Sequence, residues 1–279
     1  MNHSFRLVVL LAIGTVLEVP AAAQTPKDPK SPLPGYADGR GPTGPVELKI
    51  VSPKPGEVIP IPDAPAGQPP AKGAPVTVKF EVKNFDIFMD EKTKTGQHIN
   101  FLLDHVYNFT HQDVTKAWVF KSLPKGTHTI RAFVQRPWHE TIKEPGAFAM
   151  VTFHVGEKDG KNTPEPGSPI LSVTSPRGKY KRSEAEKLLF DFWVTGCRVT
   201  EEPGPDTCRV RYKLDDKPET KLTKWAPLWW EGLSVGKHAY VVGLTREDKV
   251  IPGSFNLANG SFEILDEGAV PAAPAPPKS

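Results

Sequence analysis

The chain has 279 residues, of which 31 are prolines and two are cysteines, and its formal net charge is +3. This length exceeds one ordinary β-sandwich and suits two domains of about 100–150 residues each. So small a positive excess argues against nucleic-acid binding, which requires a strongly basic surface.

The N-terminus has the features of an export signal. Arg6 precedes the apolar stretch Leu7–Leu17, which is short for a membrane span, and Ala21–Ala23 forms a small-residue cleavage site. We expect residues 1–23 to be removed, giving a periplasmic or secreted protein that begins at Gln24. An uncleaved membrane anchor is the alternative, which Glu18 disfavours. The remaining chain has no second apolar run of membrane length, so no transmembrane segment is expected in the mature chain.

Segments rich in proline and glycine divide the mature chain. Residues 24–45 are predicted to be a disordered or extended leader, and residues 268–279 a disordered Pro/Ala tail. The polar segment 157–169 is predicted to be a linker. It separates a first domain, residues 46–156, from a second, residues 170–267.

An internal repeat supports this division. Similar segments recur about 110 residues apart, which is a domain length rather than the period of a solenoid. The matched segments are Ile50–Pro53 with Val173–Pro176, Phe80–Asn84 with Phe192–Gly196, Ile99–Asp104 with Val210–Asp215, Leu123–His128 with Leu233–His238, and Phe153–Val155 with Phe262–Ile264. The repeat predicts two domains related by duplication, with an insertion in the first at Pro60–Pro75.

The periodic segments predict strands. Val76, Val78, Phe80 and Val82 alternate with polar residues, which is the period of a half-buried strand. The segment Lys181–Leu189 is compatible with a turn or two of helix but is expected to lead into a strand. The predicted fold class is therefore all-β, with two tandem antiparallel β-sandwich domains; a small barrel is the alternative.

The chain resembles bacterial immunoglobulin-like and fibronectin-type-III-like modules. The resemblance covers both domains and depends on an opening strand that ends in Ser-Pro, at Ser52-Pro53 and Ser175-Pro176. It also depends on the Leu-x-x-Gly-x-His turn that ends at His128 and His238. It implies adhesion, scaffolding or accessory roles rather than catalysis. The antibody-type cysteine pair between sheets is absent.

Cys197 and Cys208 flank a turn rich in proline and glycine, and we expect a disulfide across its base. A metal or redox site is the alternative, which lacks a nearby histidine or third cysteine.

Two groups of side chains are candidates for ligand or partner binding. Trp138 is predicted at a loop tip and Trp229 on an outward face, whereas Trp230 is expected in the core; exposed tryptophans bind sugars or protein partners, although packing is the more common role. Arg209, Arg211 and Lys213 alternate on one strand, with Arg198 across the predicted hairpin. They form either a cationic face for an acidic partner or polysaccharide, or a solvated sheet face.

Metal binding is a weaker hypothesis. His105, His111 and Asp113 lie in one predicted loop, but they lack the spacing of known metal motifs. No cofactor is expected, and no catalytic motif is present in the sequence.

The sequence therefore predicts a non-enzymatic exported binding or scaffold protein. We expect an accessory role in a cell-envelope or periplasmic assembly, with an envelope protein complex or a glycan as partner. A pair of carbohydrate-binding modules and a periplasmic metal-binding protein are the alternatives.

Replacing both cysteines with serine is expected to lower the free energy of unfolding by about 3 kcal/mol, because the unfolded chain loses a cross-link. Urea denaturation of the double variant measures this loss, and the reduced wild-type chain is the control. A loss below about 1 kcal/mol in both would contradict a stabilising disulfide.

Overall fold

The computed structural model describes residues 28–64, 66–67, 69–105 and 107–266, and the regular secondary structure of these residues consists of strands and two short 3-10 helices. The predicted signal segment, residues 1–23, and the predicted tail, residues 268–279, lie outside the described residues. The all-β prediction is confirmed. Among the described residues, no helix is long and apolar enough to cross a bilayer.

The first sandwich consists of a three-stranded and a five-stranded sheet, in the orders β1-β3-β6 and β2-β8-β7-β4-β5. A short 3-10 helix, Pro145–Ala147, precedes its last strand. The strands are β1 (Glu47–Ser52), β2 (Val58–Ile59), β3 (Gly73–Lys83), β4 (His98–Leu103), β5 (Tyr107–His111), β6 (Trp118–Pro124), β7 (Gly126–Gln135) and β8 (Phe148–Val155).

The second sandwich has sheets in the orders β9-β11-β15 and β10-β18-β16-β13-β12, with β14 beside β13 and β17 beside β16. The 3-10 helix Ser183–Ala185 leads into a strand, as expected for that segment. The strands are β9 (Ile170–Ser175), β10 (Gly178–Lys181), β11 (Lys187–Thr195), β12 (Arg198–Val199), β13 (Thr207–Leu214), β14 (Thr220–Leu222), β15 (Leu228–Glu231), β16 (Gly236–Arg246), β17 (Lys249–Val250) and β18 (Leu257–Leu265).

Most strand pairs are antiparallel, as predicted, but three short pairs are parallel. After the cis Ser52-Pro53 bond the chain leaves β3 and crosses to the other sheet, where β2 runs parallel to β8. The cis Ser175-Pro176 bond stands at the same crossing in the second sandwich, between β9 and β10. The matched segments thus occupy equivalent strands, while their origin by duplication stays a prediction.

The disulfide between Cys197 and Cys208 is present, with a Cα–Cα distance of 5.9 Å. The prediction of a hairpin between them is wrong, because β12 pairs in parallel with β13. The intervening residues form a loop, closed by an ion pair of 2.9 Å between Arg198 and Asp206.

The two sandwiches share a packed junction. Trp193 of β11 lies in the hydrophobic core of the first sandwich, stacked on Phe148 at a ring distance of 5.5 Å and close to Phe133. In the repeat, Trp193 corresponds to Glu81 of β3, which is exposed. The outward face of β11 is therefore an interface rather than a solvated surface.

A buried carboxylate lies beside this tryptophan. Asp191 is fully buried and accepts hydrogen bonds from the Thr141 backbone N–H at 2.7 Å and from the Lys143 ammonium at 2.5 Å. Both donors belong to the first sandwich. Asp191 also accepts from the Phe192 N–H of its own strand at 2.9 Å. The first sandwich therefore adds the charged partner, without which the docked carboxylate would lie buried with no counter-charge, at a cost of several kcal/mol.

Docking also changes the predicted strand faces. Every residue of β4 and β7 is buried, although alternation predicted one solvated face for each. The covered face carries polar groups such as His98, Asn100 and Arg131, and these require hydrogen-bond partners within the protein.

The described part of the leader, residues 28–45, lies against the first sandwich without regular secondary structure. The backbone N–H of Ala37 donates to Thr95 at 2.8 Å, that of Arg40 to Gln97 at 2.5 Å, and the Arg40 guanidinium lies 4.0 Å from the Phe88 ring centroid. Through these contacts Ala37 and Arg40 of the leader pack on the first sandwich.

Trp193→Ala is expected to lower the free energy of unfolding by about 3–5 kcal/mol, because it leaves a cavity in a core that the two sandwiches share. The matched control is Trp229→Ala, a partly exposed tryptophan of the same sandwich, with an expected loss of about 1 kcal/mol. Urea denaturation of both variants provides the test. Equal losses would contradict the structural role assigned to Trp193.

Candidate binding groove

A groove of about 930 Å³ lies where the two sandwiches meet. The first sandwich lines it with β4, β5 and the turn between them, and the second with β9, the segment after it and β18. Small-molecule sites typically have volumes of about 300–1,000 Å³. The sequence did not predict this site, because its residues come from distant segments that only the junction brings together.

Arg131 of β7 forms part of the groove floor and is 4% exposed. Its guanidinium donates to the Leu171 carbonyl at 2.9 Å, the Ser172 hydroxyl at 2.8 Å and the Asp104 carbonyl at 2.7 Å. It also lies 4.1 Å from the Phe255 ring centroid. Burial lowers the pKa of Arg131 to about 9, which still leaves it charged at neutral pH.

Arg177 is the second cation of the groove and follows the chain crossing after β9. Its Nη2 donates to the Thr110 hydroxyl at 2.6 Å, so it too links the sandwiches. Burial lowers the pKa of Arg177. Its Nη1 and the Nε of Arg131 are buried and have no hydrogen-bond partner among the described residues.

Aromatic and small polar residues complete the lining. The exposed His105 ring stacks on Phe255 at 4.5 Å, and the Tyr240 hydroxyl donates to the Pro176 carbonyl at 3.2 Å. A β-carbon at Gly260 would overlap the Tyr240 ring, so this close approach requires glycine. The side chains of Asn108, Asn259 and Ser261 add amide and hydroxyl groups to the walls.

A buried histidine pair lies near Arg177. Nδ1 of His98 donates to the Gly96 carbonyl at 2.8 Å, and its Nε2 lies 3.0 Å from the Gln135 Oε1 and 3.1 Å from Nδ1 of His139. Burial lowers the pKa of His98 to about 4 and that of His139 also, and the charge of Arg177 lowers both further. Both rings are therefore neutral at physiological pH.

His128 closes a turn in the first sandwich. Its two ring nitrogens donate to the Asp104 carboxylate at 2.7 Å and to the Pro124 carbonyl at 2.9 Å, and the other Asp104 oxygen accepts from the Thr129 N–H at 2.8 Å. Burial lowers the pKa of His128, but the hydrogen bonds to Asp104 and Pro124 and the charges of Asp104 and Asp159 together outweigh it, so the pKa is raised.

The second sandwich repeats this arrangement at His238. Its nitrogens donate to the Asp215 carboxylate and the Ser234 carbonyl, each at 2.8 Å, and Asp215 accepts from the Ala239 N–H at 2.9 Å. Burial lowers the pKa of His238, whereas the hydrogen bonds to Asp215 and Ser234 and the charge of Asp215 raise it, and the net result is a raised pKa. The Leu-x-x-Gly-x-His pattern is thus a structural turn, in agreement with the predicted shared position.

Trp138 was predicted to be an exposed binding residue, and this prediction is wrong. The side chain is 3% exposed and its Nε1 donates to Glu140 at 2.8 Å, so it offers no free stacking face. Trp230 is buried, as expected. Trp229 is partly exposed and lines a separate cleft of about 200 Å³ that also includes Tyr212.

The predicted cationic face is largely neutralised. Arg211 forms ion pairs with Glu219, at 2.8 Å, and with Asp248. Arg209 donates to the Glu201 carbonyl, and only Lys213 of this row is fully exposed. The row does not form a free basic surface, because acidic residues of neighbouring turns fold over it.

The predicted metal candidates do not converge. His111 is buried and donates to the Lys116 carbonyl at 3.0 Å, while Asp113 accepts from Thr115 and pairs with the Lys116 ammonium at 2.9 Å. The bonds to Thr115 and Lys116 lower the pKa of Asp113 to about 2. His105 lies in the groove instead. Within the described ranges no group of three potential ligands is close enough to hold a metal ion.

No protein-family model matches the sequence, and the comparison with curated proteins finds no match. Several solved structures match in part. Fibronectin(III)-like modules of Clostridium thermocellum CbhA are 12% identical with a TM-score of 0.27, over 81% of this chain and 98% of that one.

Two glycan-related structures also match. Parabacteroides merdae β-glucuronidase is 9% identical with a TM-score of 0.23, over 79% of this chain and 25% of that one. Bacteroides ovatus SGBP-B, solved with a mixed-linkage heptasaccharide, is 12% identical with a TM-score of 0.21, over 78% of this chain and 47% of that one. At these scores the fold assignment depends on the strand pairing described above, and none of these matches indicates a ligand.

The buried histidine His139 and the turn histidine His238 are expected to change the stability of the protein with pH in opposite directions. The pKa of His139 is lowered in the fold, so its burial destabilises the protein as pH falls below about 6.5, where the unfolded state takes up the proton. His139→Asn, which tolerates the positive φ of 68°, should therefore cost less stability at pH 5 than at pH 8.

The pKa of His238 is raised in the fold, so its contribution is present below about pH 6.5 and is lost as pH rises through the folded value. His238→Asn should cost more stability at pH 5 than at pH 8. Urea denaturation at both pH values measures the two variants, and effects of the same sign would contradict the assigned protonation states.

Proposed function

We propose that the chain is a non-enzymatic exported binding protein whose binding surface is the groove between the two sandwiches. The carrying observation is that the junction creates an open groove lined by the buried Arg131 and the partly exposed Arg177. In this proposal the protein serves as an accessory component of a cell-envelope or periplasmic assembly.

The junction supports a scaffold role. Trp193 occupies the core of the neighbouring sandwich, and Asp191 depends on donors from it, so hinge motion between the sandwiches would expose both. A fixed arrangement preserves the shape of a ligand site before the ligand arrives, which lowers the entropic cost of binding. The disulfide at Cys197 and Cys208 is consistent with an oxidising compartment outside the cytoplasm.

Carbohydrate binding remains the second candidate, with the site moved from Trp138 to the groove. The observation in its favour is the combination of amide, hydroxyl and aromatic groups on the groove walls. Metal binding by His105, His111 and Asp113 is not carried forward, since each of these side chains has separate contacts.

The test uses the mature chain immobilised and exposed to a native envelope extract, with retained proteins and glycans identified by mass spectrometry. Asn259→Trp places a large ring at an exposed position of the groove wall and is expected to reduce retention of a bound component by about tenfold.

The matched control is Lys237→Trp, an equally exposed position on β16 outside the groove, which should retain the component normally. Equal retention by both variants would contradict the groove as binding surface. A catalytic turnover that one side-chain substitution abolishes would overturn the non-enzymatic assignment.

A further inference from the structure

We propose that the groove binds an acidic saccharide whose carboxylate pairs with Arg177 in the field of Arg131; this rests on the proposed function, in which the groove is the binding surface.

The charge balance of the groove supports an anionic ligand. Neither Arg131 nor Arg177 forms an ion pair with a carboxylate among the described residues, although Arg131 is buried and Arg177 is only partly exposed. A buried cation without a counter-charge is costly, and a ligand carboxylate would supply that charge. Guanidinium groups also match carboxylates in planar, two-pronged hydrogen bonds.

Asp104 is the carboxylate that lines the same groove; its charge attracts Arg131, but both of its oxygens accept hydrogen bonds elsewhere. Its two oxygens accept from His128 and from the Thr129 backbone N–H. The other titratable groups of the lining are His105 and Tyr240. Burial lowers the pKa of His105 and raises that of Tyr240 to about 12, so neither adds a negative charge near neutral pH.

The two arginines have different roles in this site. Arg131 is fixed by three hydrogen bonds and by Phe255, so it acts as a stationary positive charge in the floor. Arg177 is partly exposed and has one side-chain hydrogen bond, to Thr110. Its Nη1 is buried without a partner in the described structure, so a carboxylate approaches the guanidinium from its exposed side. Arg177 is therefore the group that contacts the carboxylate directly.

The remaining lining favours a saccharide over a polypeptide. Asn259 and Ser261 present exposed polar groups beside the half-exposed Leu257, which suits the mixed polar and apolar surface of a sugar ring. An extended peptide would add to a strand edge, but two carbonyls of the β9 edge, Leu171 and Thr174, already accept from side chains of the first sandwich.

The experiment is a calorimetric titration of the mature chain with a uronic-acid oligosaccharide. The matched ligand is the neutral oligosaccharide of the same linkage and length, in which each carboxylate is reduced to a hydroxymethyl group. We expect the acidic ligand to bind at least about tenfold more tightly, with an affinity that falls as salt rises. Equal affinity for the two ligands, or no binding of the acidic one, overturns the proposal.

Three variants locate the contact. Arg177→Gln should weaken binding of the acidic ligand by about tenfold or more, and Arg177→Lys by less, because lysine keeps the charge without the planar fork. The control is Arg246→Gln, a partly exposed arginine of the same sandwich with one hydrogen bond, to Thr207. It should bind like the wild type, and thermal unfolding confirms that all three variants are folded.

Unchanged affinity in Arg177→Gln overturns the assignment of that contact. The ligand comparison needs no variant, so it decides the proposal even if the arginine variants do not fold. If Asn259→Trp reduces retention of an envelope protein while the uronic-acid oligosaccharide does not bind, the ligand class is wrong and the proposed function stands. If Asn259→Trp retains envelope components normally and the uronic-acid oligosaccharide does not bind, both proposals fail.

Discussion

The carboxylate of Asp191 belongs to the second sandwich, and the donors from Thr141 and Lys143 belong to the first. A fully buried carboxylate cannot tolerate the loss of such partners, because its desolvation would no longer be offset. Trp193 adds an apolar contact at the same junction, because its side chain packs in the hydrophobic core of the first sandwich although the residue belongs to the second. The relative position of the two sandwiches, and with it the shape of the groove, follows from this one junction.

The junction explains why polar groups are buried on strands whose alternation indicates a solvated face. Once β9 covers the outer face of β4 and β7, Arg131 has no water to bind and instead donates to β9 backbone and side-chain oxygens. The Nη donors of Arg131 are thus bonded while Nε has no partner, and no carboxylate among the described residues forms an ion pair with the guanidinium. The packing that holds the two sandwiches together thus also creates a positive site at the surface. The stability of the junction and the chemistry of the groove therefore depend on the same contacts.

The histidine turns recur in both sandwiches, whereas the residues of the junction do not. The turn that pairs His128 with Asp104 recurs as His238 with Asp215, and in each case both imidazole nitrogens face acceptors. These hydrogen bonds are local to one turn, so they form within a single sandwich and do not require the other. Trp193 has an exposed glutamate as its counterpart in the repeat, so the junction and the groove depend on features present in one copy alone.

Local sequence patterns predicted the strands, the tandem sandwiches, the disulfide and the structural role of the histidine turns, because each depends on period, spacing or turn chemistry. They did not determine which strand faces are covered: alternation separates two faces of a strand but does not say which of them a second sandwich will contact. Loop packing is also not set by local pattern: Trp138, predicted at a loop tip as a binding residue, is buried, and Arg211 of the predicted cationic face is paired with acidic residues of neighbouring turns. Arg131 and Arg177 form one site only after docking brings distant segments together, and that was decided by the tertiary structure.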